Sequence, residues 1–173
     1  MPTRFLLVDD HALIREGLAL ALARITEQVE VIEAGSCEDA LARIRAAGEA
    51  SLELDLVVLD LQLPGLSRLD ALDAIRAAAP STPVVVLSGE TSTELVHAVL
   101  RAGARGYIPK ATPTDQLIVA LRLVFAGGIY VPPMVLDPPA PPDDPRAAHA
   151  PVDEAALTPR QRRVLAELAR GAG

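Results

Sequence analysis

The run Leu54-Asp55-Leu56-Val57-Val58-Leu59-Asp60-Leu61-Gln62-Leu63-Pro64-Gly65 is mostly apolar, reaches a carboxylate at Asp60 and breaks at Pro-Gly. Such a Leu/Val segment reads as a strand buried on both faces at the centre of a parallel sheet. Asp60 then stands at the carboxyl end of that strand, the edge where open α/β sheets collect ligands and chemistry. The pattern recurs: Phe5-Leu6-Leu7-Val8 runs into Asp9-Asp10, Val84-Val85-Val86-Leu87 into Ser88, and Tyr107-Ile108-Pro109 into Lys110. First and third strands of a doubly wound sheet are neighbours, so Asp9, Asp10 and Asp60 should converge. Like charges that close need a cation to neutralise them. A site with few carboxylates and room for water and phosphate oxygens favours Mg²⁺ over Ca²⁺. The chemistry implied is phosphoryl transfer, with Asp60 as nucleophile and the metal offsetting the charge that develops. Lys110 is the only lysine beside fifteen arginines, which suggests a place for a compact ammonium where a planar guanidinium fork would not fit.

Five strand and helix repeats must position these groups. Strands are expected at Phe5–Val8, Val29–Ala34, Leu54–Asp60, Val84–Leu87 and Tyr107–Lys110. The helix over 11–24 has Leu13, Ile14, Leu18, Leu20, Ala21 and Leu22 on a broad apolar face. Ser36 caps the next helix, with Glu38 and Asp39 in its first turn, and that helix reaches about Gly48. Leu69, Leu72 and Ile75 belong to a third helix, Thr91 to Arg101 form a fourth, and Thr112-Pro113 open a fifth whose buried stripe is Leu117, Ala120, Leu121, Val124 and Phe125. No hairpin signals intervene, so the fold class is α/β: a doubly wound, five-stranded parallel sheet of flavodoxin-like order 2-1-3-4-5, flanked by five helices. Residues 1–127 make this domain. A linker follows over 128–156; residues 132–151 hold more than half of the fifteen prolines, too little apolar material to fold. Over 157–173, Thr158 as N-cap, Pro159 and apolar Val164, Leu165 and Leu168 describe one amphipathic helix.

The net charge of −7 argues against the chain as a whole binding DNA or an anionic membrane. Aromatic residues at 2% leave no stacking platform for single-stranded nucleic acid. A single cysteine, Cys37, excludes an internal disulfide and fits a reducing compartment. No run approaches the roughly 18 apolar residues of a membrane span, so a cytoplasmic protein is expected.

Taken together, Val8-Asp9-Asp10-His11, Leu59-Asp60-Leu61-Gln62-Leu63-Pro64-Gly65, Leu87-Ser88-Gly89-Glu90 and Gly106-Tyr107-Ile108-Pro109-Lys110-Ala111 resemble the signature segments of the receiver domain of bacterial two-component response regulators, in the family's order and near its spacing. The resemblance covers residues 4–126. It implies that Asp60 is the phospho-accepting aspartate and that Asp9, Asp10, Asp60 and the Gln62 backbone carbonyl hold Mg²⁺. It implies also that Ser88 meets the phosphoryl oxygen, Lys110 pairs with it, and Tyr107 changes rotamer as Ser88 moves. The partner would be a sensor histidine kinase, with homodimerisation on phosphorylation through the fourth and fifth helices and the last strand. No enzyme activity is implied beyond slow self-dephosphorylation. Leu157 to Gly171 is similar to the opening of the LuxR-type helix-turn-helix domain that follows receivers of the NarL/FixJ subfamily. The helix that would enter the major groove is expected beyond Gly173, so the chain is read as truncated and DNA binding as a property of the missing domain.

Arg68 departs from the family pattern, which has glycine eight residues after the acceptor. If the loop needs a positive φ there, arginine carries a steric cost. Gly89, where alanine is common, should leave the phosphate accessible.

Blander readings stand beside these. Asp9 and Asp10 could cap a helix, Ser88 could be a turn residue, and Tyr107 a half-buried core residue. His11, His97 and His149 show no ligand spacing and are taken as solvated or locally bonded. Cys37 reads as a buried filler. The arginines at 160, 162, 163 and 170 suit either a phosphate backbone or solvent. Two other functions compete with the switch: a receiver-like interaction module that is not phosphorylated, and an aspartyl phosphatase. The latter would place a second aspartate where Gln62 stands.

Overall fold

The computed structural model describes residues 2–65 and 67–135. The amphipathic helix expected over 157–173 and most of the proline-rich linker lie outside the described residues.

The sheet is built from β1 (Thr3–Val8), β2 (Val29–Ala34), β3 (Leu56–Asp60), β4 (Val84–Ser88) and β5 (Gly106–Pro109). Its order is β2-β1-β3-β4-β5, all parallel. Every residue of β3 and β4 is buried, as a central parallel strand requires. Between the strands run α1 (Ala12–Leu22), α2 (Cys37–Glu49), α3 (Arg68–Ala78) and α4 (Thr93–Arg101), and α5 (Thr114–Phe125) follows β5.

Side chains alternate across a strand, and this sorts the core into two layers. Leu6, Val8, Val57, Leu59, Val84, Val86 and Tyr107 face one layer, closed by α2, α3 and α4. Phe5, Leu7, Leu56, Val58, Val85, Leu87 and Ile108 face the other, closed by α1 and α5. The same alternation carried past the apolar residues decides where the polar ones go. Asp9, Asp60 and Lys110 fall in phase with the α1/α5 layer, and Ser88 in phase with the opposite one.

Three helix starts are capped by serine hydroxyls. Ser36 accepts from the Asp39 amide at 3.1 Å, Ser67 from the Asp70 amide at 3.3 Å and Ser92 from the Leu95 amide at 3.4 Å. α4 therefore begins two residues later than Thr91, because Ser92 serves as its cap. α1 is narrower than its sequence suggests: Leu18, Ala21 and Leu22 are buried, but Leu13 and Leu20 are 80% and 73% exposed. Phe125 lies at the edge of the α5 stripe, 36% exposed, with its ring edge-on to Phe5 at 5.8 Å.

The chain stays on the domain after residue 127. Tyr130 donates its amide to the Arg105 carbonyl at 2.9 Å and accepts from the Tyr107 amide at 3.2 Å, so it lies beside β5. The opening of the expected linker is thus an extension of the sheet edge, followed by a 3₁₀ turn over Pro133–Val135.

Candidate functional site

The carboxyl ends of β1, β3 and β5 bring Asp9, Asp60 and Lys110 together, while Ser88 ends β4 beside them with its hydroxyl on the Glu90 amide. The register aligns Val8 with Leu59, Asp60 with Leu87 and Ser88 with Pro109, so the residues just beyond are neighbours. Asp9, Asp60 and Ser88 are each only 1% exposed. Charges so buried need partners, and Lys110 supplies one: its Nζ donates to Asp60 Oδ2 at 2.7 Å and to Asp9 Oδ2 at 2.9 Å. Burial works to lower the Lys110 pKa. The hydrogen bonds to Asp60 and Asp9, with the charge of both carboxylates, outweigh burial and raise it.

The remaining carboxylate oxygens meet backbone. Asp60 Oδ1 accepts from the Gln62 amide at 2.9 Å, and Asp9 Oδ1 from the His11 amide at 2.7 Å. Asp10 is the outermost acid, and His11 Nδ1 lies 2.8 Å from its Oδ1. Ligand atoms of Asp9, Asp10, His11 and Asp60 fall within 4.8 Å of one another. Three carboxylates form a hard oxygen set of the kind that suits Mg²⁺. His11, expected to be solvated or locally bonded, borders this cluster. The Gln62 side chain lies over Gly89, so part of the room expected beside that glycine is filled.

Sequence reasoning did not single out Arg15 or assign Glu90 a role. Arg15 donates from Nη1 to the Asp9 carbonyl at 2.6 Å and pairs through Nε with Glu33 at 2.8 Å, fixing the corner between β1 and α1. Nothing in its spacing marks it. Glu90 gathers the β4–α4 loop: its amide donates to Ser88 Oγ at 3.2 Å, and its carboxylate accepts from Ser92 Oγ at 3.2 Å and from Arg68. Its carbonyl takes the Tyr107 hydroxyl at 2.5 Å. Tyr107 is fully buried, so its ring already occupies the inward position. Burial pushes its phenol pKa up; the Ser88 hydroxyl and Arg68 draw it back, and Glu90 adds to the rise.

Arg68 resolves the conditional attached to it. It is the first residue of α3, after the cap Ser67, and the left-handed turn of the loop is taken at Gly65, with φ +90°. No positive φ is asked of arginine.

Larger hollows lie at the opposite edge of the sheet, including one of about 400 Å³ lined by Asp55, Arg76, Thr82 and Arg105. They gather no comparable set of reactive groups. No helix among the described residues is long and apolar enough to cross a membrane.

Comparison with known proteins places the fold in a family. Residues 5–122 match the family model of the response regulator receiver domain. The chain is 39% identical over 127 residues to the transcriptional activator protein ExaE of Pseudomonas putida, covering 73% of this chain and 56% of that protein. It is 34% identical to the response regulator GacA of Pseudomonas viridiflava, covering 76% and 59%. It thus spans under two thirds of the length of these curated relatives. Among solved structures, a LuxR family DNA-binding response regulator from Silicibacter pomeroyi aligns with a TM-score of 0.64 and 38% identity, covering 75% of this chain and 97% of that one.

Proposed function

Because the chain belongs to the response regulator receiver family of two-component systems, we propose that it accepts a phosphoryl group on Asp60 from the phosphohistidine of a sensor histidine kinase. One observation carries this reading: Lys110 Nζ, just past β5, lies within 2.9 Å of a carboxylate oxygen of Asp9, just past β1, and of one of Asp60, at the end of β3. An Asp60 carboxylate oxygen would attack phosphorus in line. The P–N bond breaks, its electron pair returns to the imidazole nitrogen, and an acyl phosphate remains on Asp60. Lys110 holds the attacking carboxylate in place and then faces the new phosphoryl oxygens. Asp9, Asp10, Asp60 and the Gln62 carbonyl would hold Mg²⁺, whose charge offsets that of the transferring group. Ser88 would turn to the phosphoryl group. In the whole protein this would control a C-terminal DNA-binding domain, in keeping with the DNA-binding response regulator that it resembles. The chemistry makes the chain an acceptor, with self-dephosphorylation its only turnover.

Incubation with acetyl phosphate and Mg²⁺ should add one phosphoryl group to the intact protein by mass spectrometry. Asp60→Asn should abolish the gain. A gain that survives this substitution would overturn the assignment, and no gain from any small phosphodonor would favour an unphosphorylated interaction module.

A further inference from the structure

Arg68 is set against its own helix. A cation in the first turn of α3 meets the positive end of the helix dipole, which favours anions there. Its charge is answered from outside the helix, by Glu90 on the loop after the neighbouring strand. The pair spans the loops after β3 and β4, which flank Asp60. Its far end is not a free side chain. Glu90 is also tied to Ser88 Oγ, Ser92 Oγ and the Tyr107 hydroxyl.

The geometry points to a latch: the Arg68–Glu90 ion pair holds the β4–α4 loop with the Ser88 hydroxyl folded back onto the Glu90 amide, and it must yield for Ser88 to reach a phosphoryl group on Asp60. This rests on Asp60 being the acceptor. When Ser88 Oγ turns to the phosphoryl group, the Glu90 amide loses its acceptor, and re-pairing that amide shifts the Ser88-Gly89-Glu90 turn and displaces Glu90. While Arg68 grips the carboxylate, the displacement also separates two charges. Arg68 is therefore a positioning residue that sets how readily the acceptor switches. Both partners are partly exposed, 47% and 36%, and pairs of that kind shift an equilibrium by about two- to fivefold.

The probe is beryllofluoride with Mg²⁺, a stable mimic of the phosphoryl group, titrated into the full chain by calorimetry. Arg68→Gln should bind the mimic about two- to fivefold more tightly than wild type at low ionic strength. Its affinity for Mg²⁺ alone should not change. The advantage should vanish near 1 M salt, where the screening length is about 3 Å. Exchanging the two charges, with Arg68→Glu and Glu90→Arg in one protein, should restore wild-type affinity. Equal or weaker binding by Arg68→Gln, or tightening that persists in the exchanged pair, would overturn the latch and leave the acceptor intact. Failure of wild type to bind the mimic at all would overturn the acceptor reading, and the latch with it.

Discussion

At the scale of single residues, the site is a balance of charges that are almost wholly out of water. Lys110 stands between two carboxylates that are each 1% exposed, and taking one partner from a buried pair costs about 3–5 kcal/mol. Lys110→Met should therefore lower the unfolding free energy, measured by urea denaturation, by up to that order without divalent ions. Added Mg²⁺ should recover more stability in the variant than in wild type, because the cation takes over the neutralisation. The sign with pH follows from the raised Lys110 value. Its contribution is fully present below the ordinary lysine pKa of 10.5 and is lost as pH rises through the higher folded value. Thermal melts should show wild type losing stability above about pH 10.5, with that part of the slope absent from Lys110→Met. These residues were legible because chemistry narrows the choices: an acid, a hydroxyl and a lone lysine at the ends of apolar runs have few other uses. Arg15 and the role of Glu90 were not, since each acts through a partner distant in sequence, 18 residues away in Glu33 and 22 in Arg68.

At the scale of elements, strands were easier to read than helix faces. β3 and β4 are unbroken Leu/Val runs, and a residue buried on either face leaves no phase to misjudge. α1 carries apolar residues around more than half its circumference, so periodicity identified a helix without deciding which side lies inward. Leu13 and Leu20 are seven apart and share a line that faces water; Leu18, Ala21 and Leu22 hold the buried stripe. Leu20→Gln should change unfolding free energy by less than about 0.5 kcal/mol, and Leu22→Ala should cost about 2–5 kcal/mol, both measured by urea denaturation. Reversing that order would mean that α1 is rotated. Ser36 was legible as a cap from the acidic turn behind it, whereas the helix expected from Thr91 starts at Thr93 with Ser92 as its cap.

At the scale of the whole molecule, a parallel doubly wound sheet followed from connectivity, and the order β2-β1-β3-β4-β5 is one of the two common ones that connectivity permits. Parallel neighbours demand right-handed crossovers, and alternation of strand and helix leaves few ways to satisfy that. What composition could not show was where the domain stops. Prolines begin at 132 and suggested a break after 127, whereas Tyr130 exchanges two backbone hydrogen bonds beside β5. A chain ending at Gly128 should be less stable than one ending at Val135 by about 1–3 kcal/mol, the worth of two net hydrogen bonds, by thermal or urea unfolding. Equal stability of the two would show that the Tyr130 segment contributes nothing to the sheet.

The solitary lysine has one more consequence. Apart from its α-amino terminus, this chain offers a single primary amine, and it is held between the Asp9 and Asp60 carboxylates. Acetylating or alkylating reagents aimed at ε-amines therefore have one side-chain address, and the extent of their reaction measures how open that address is.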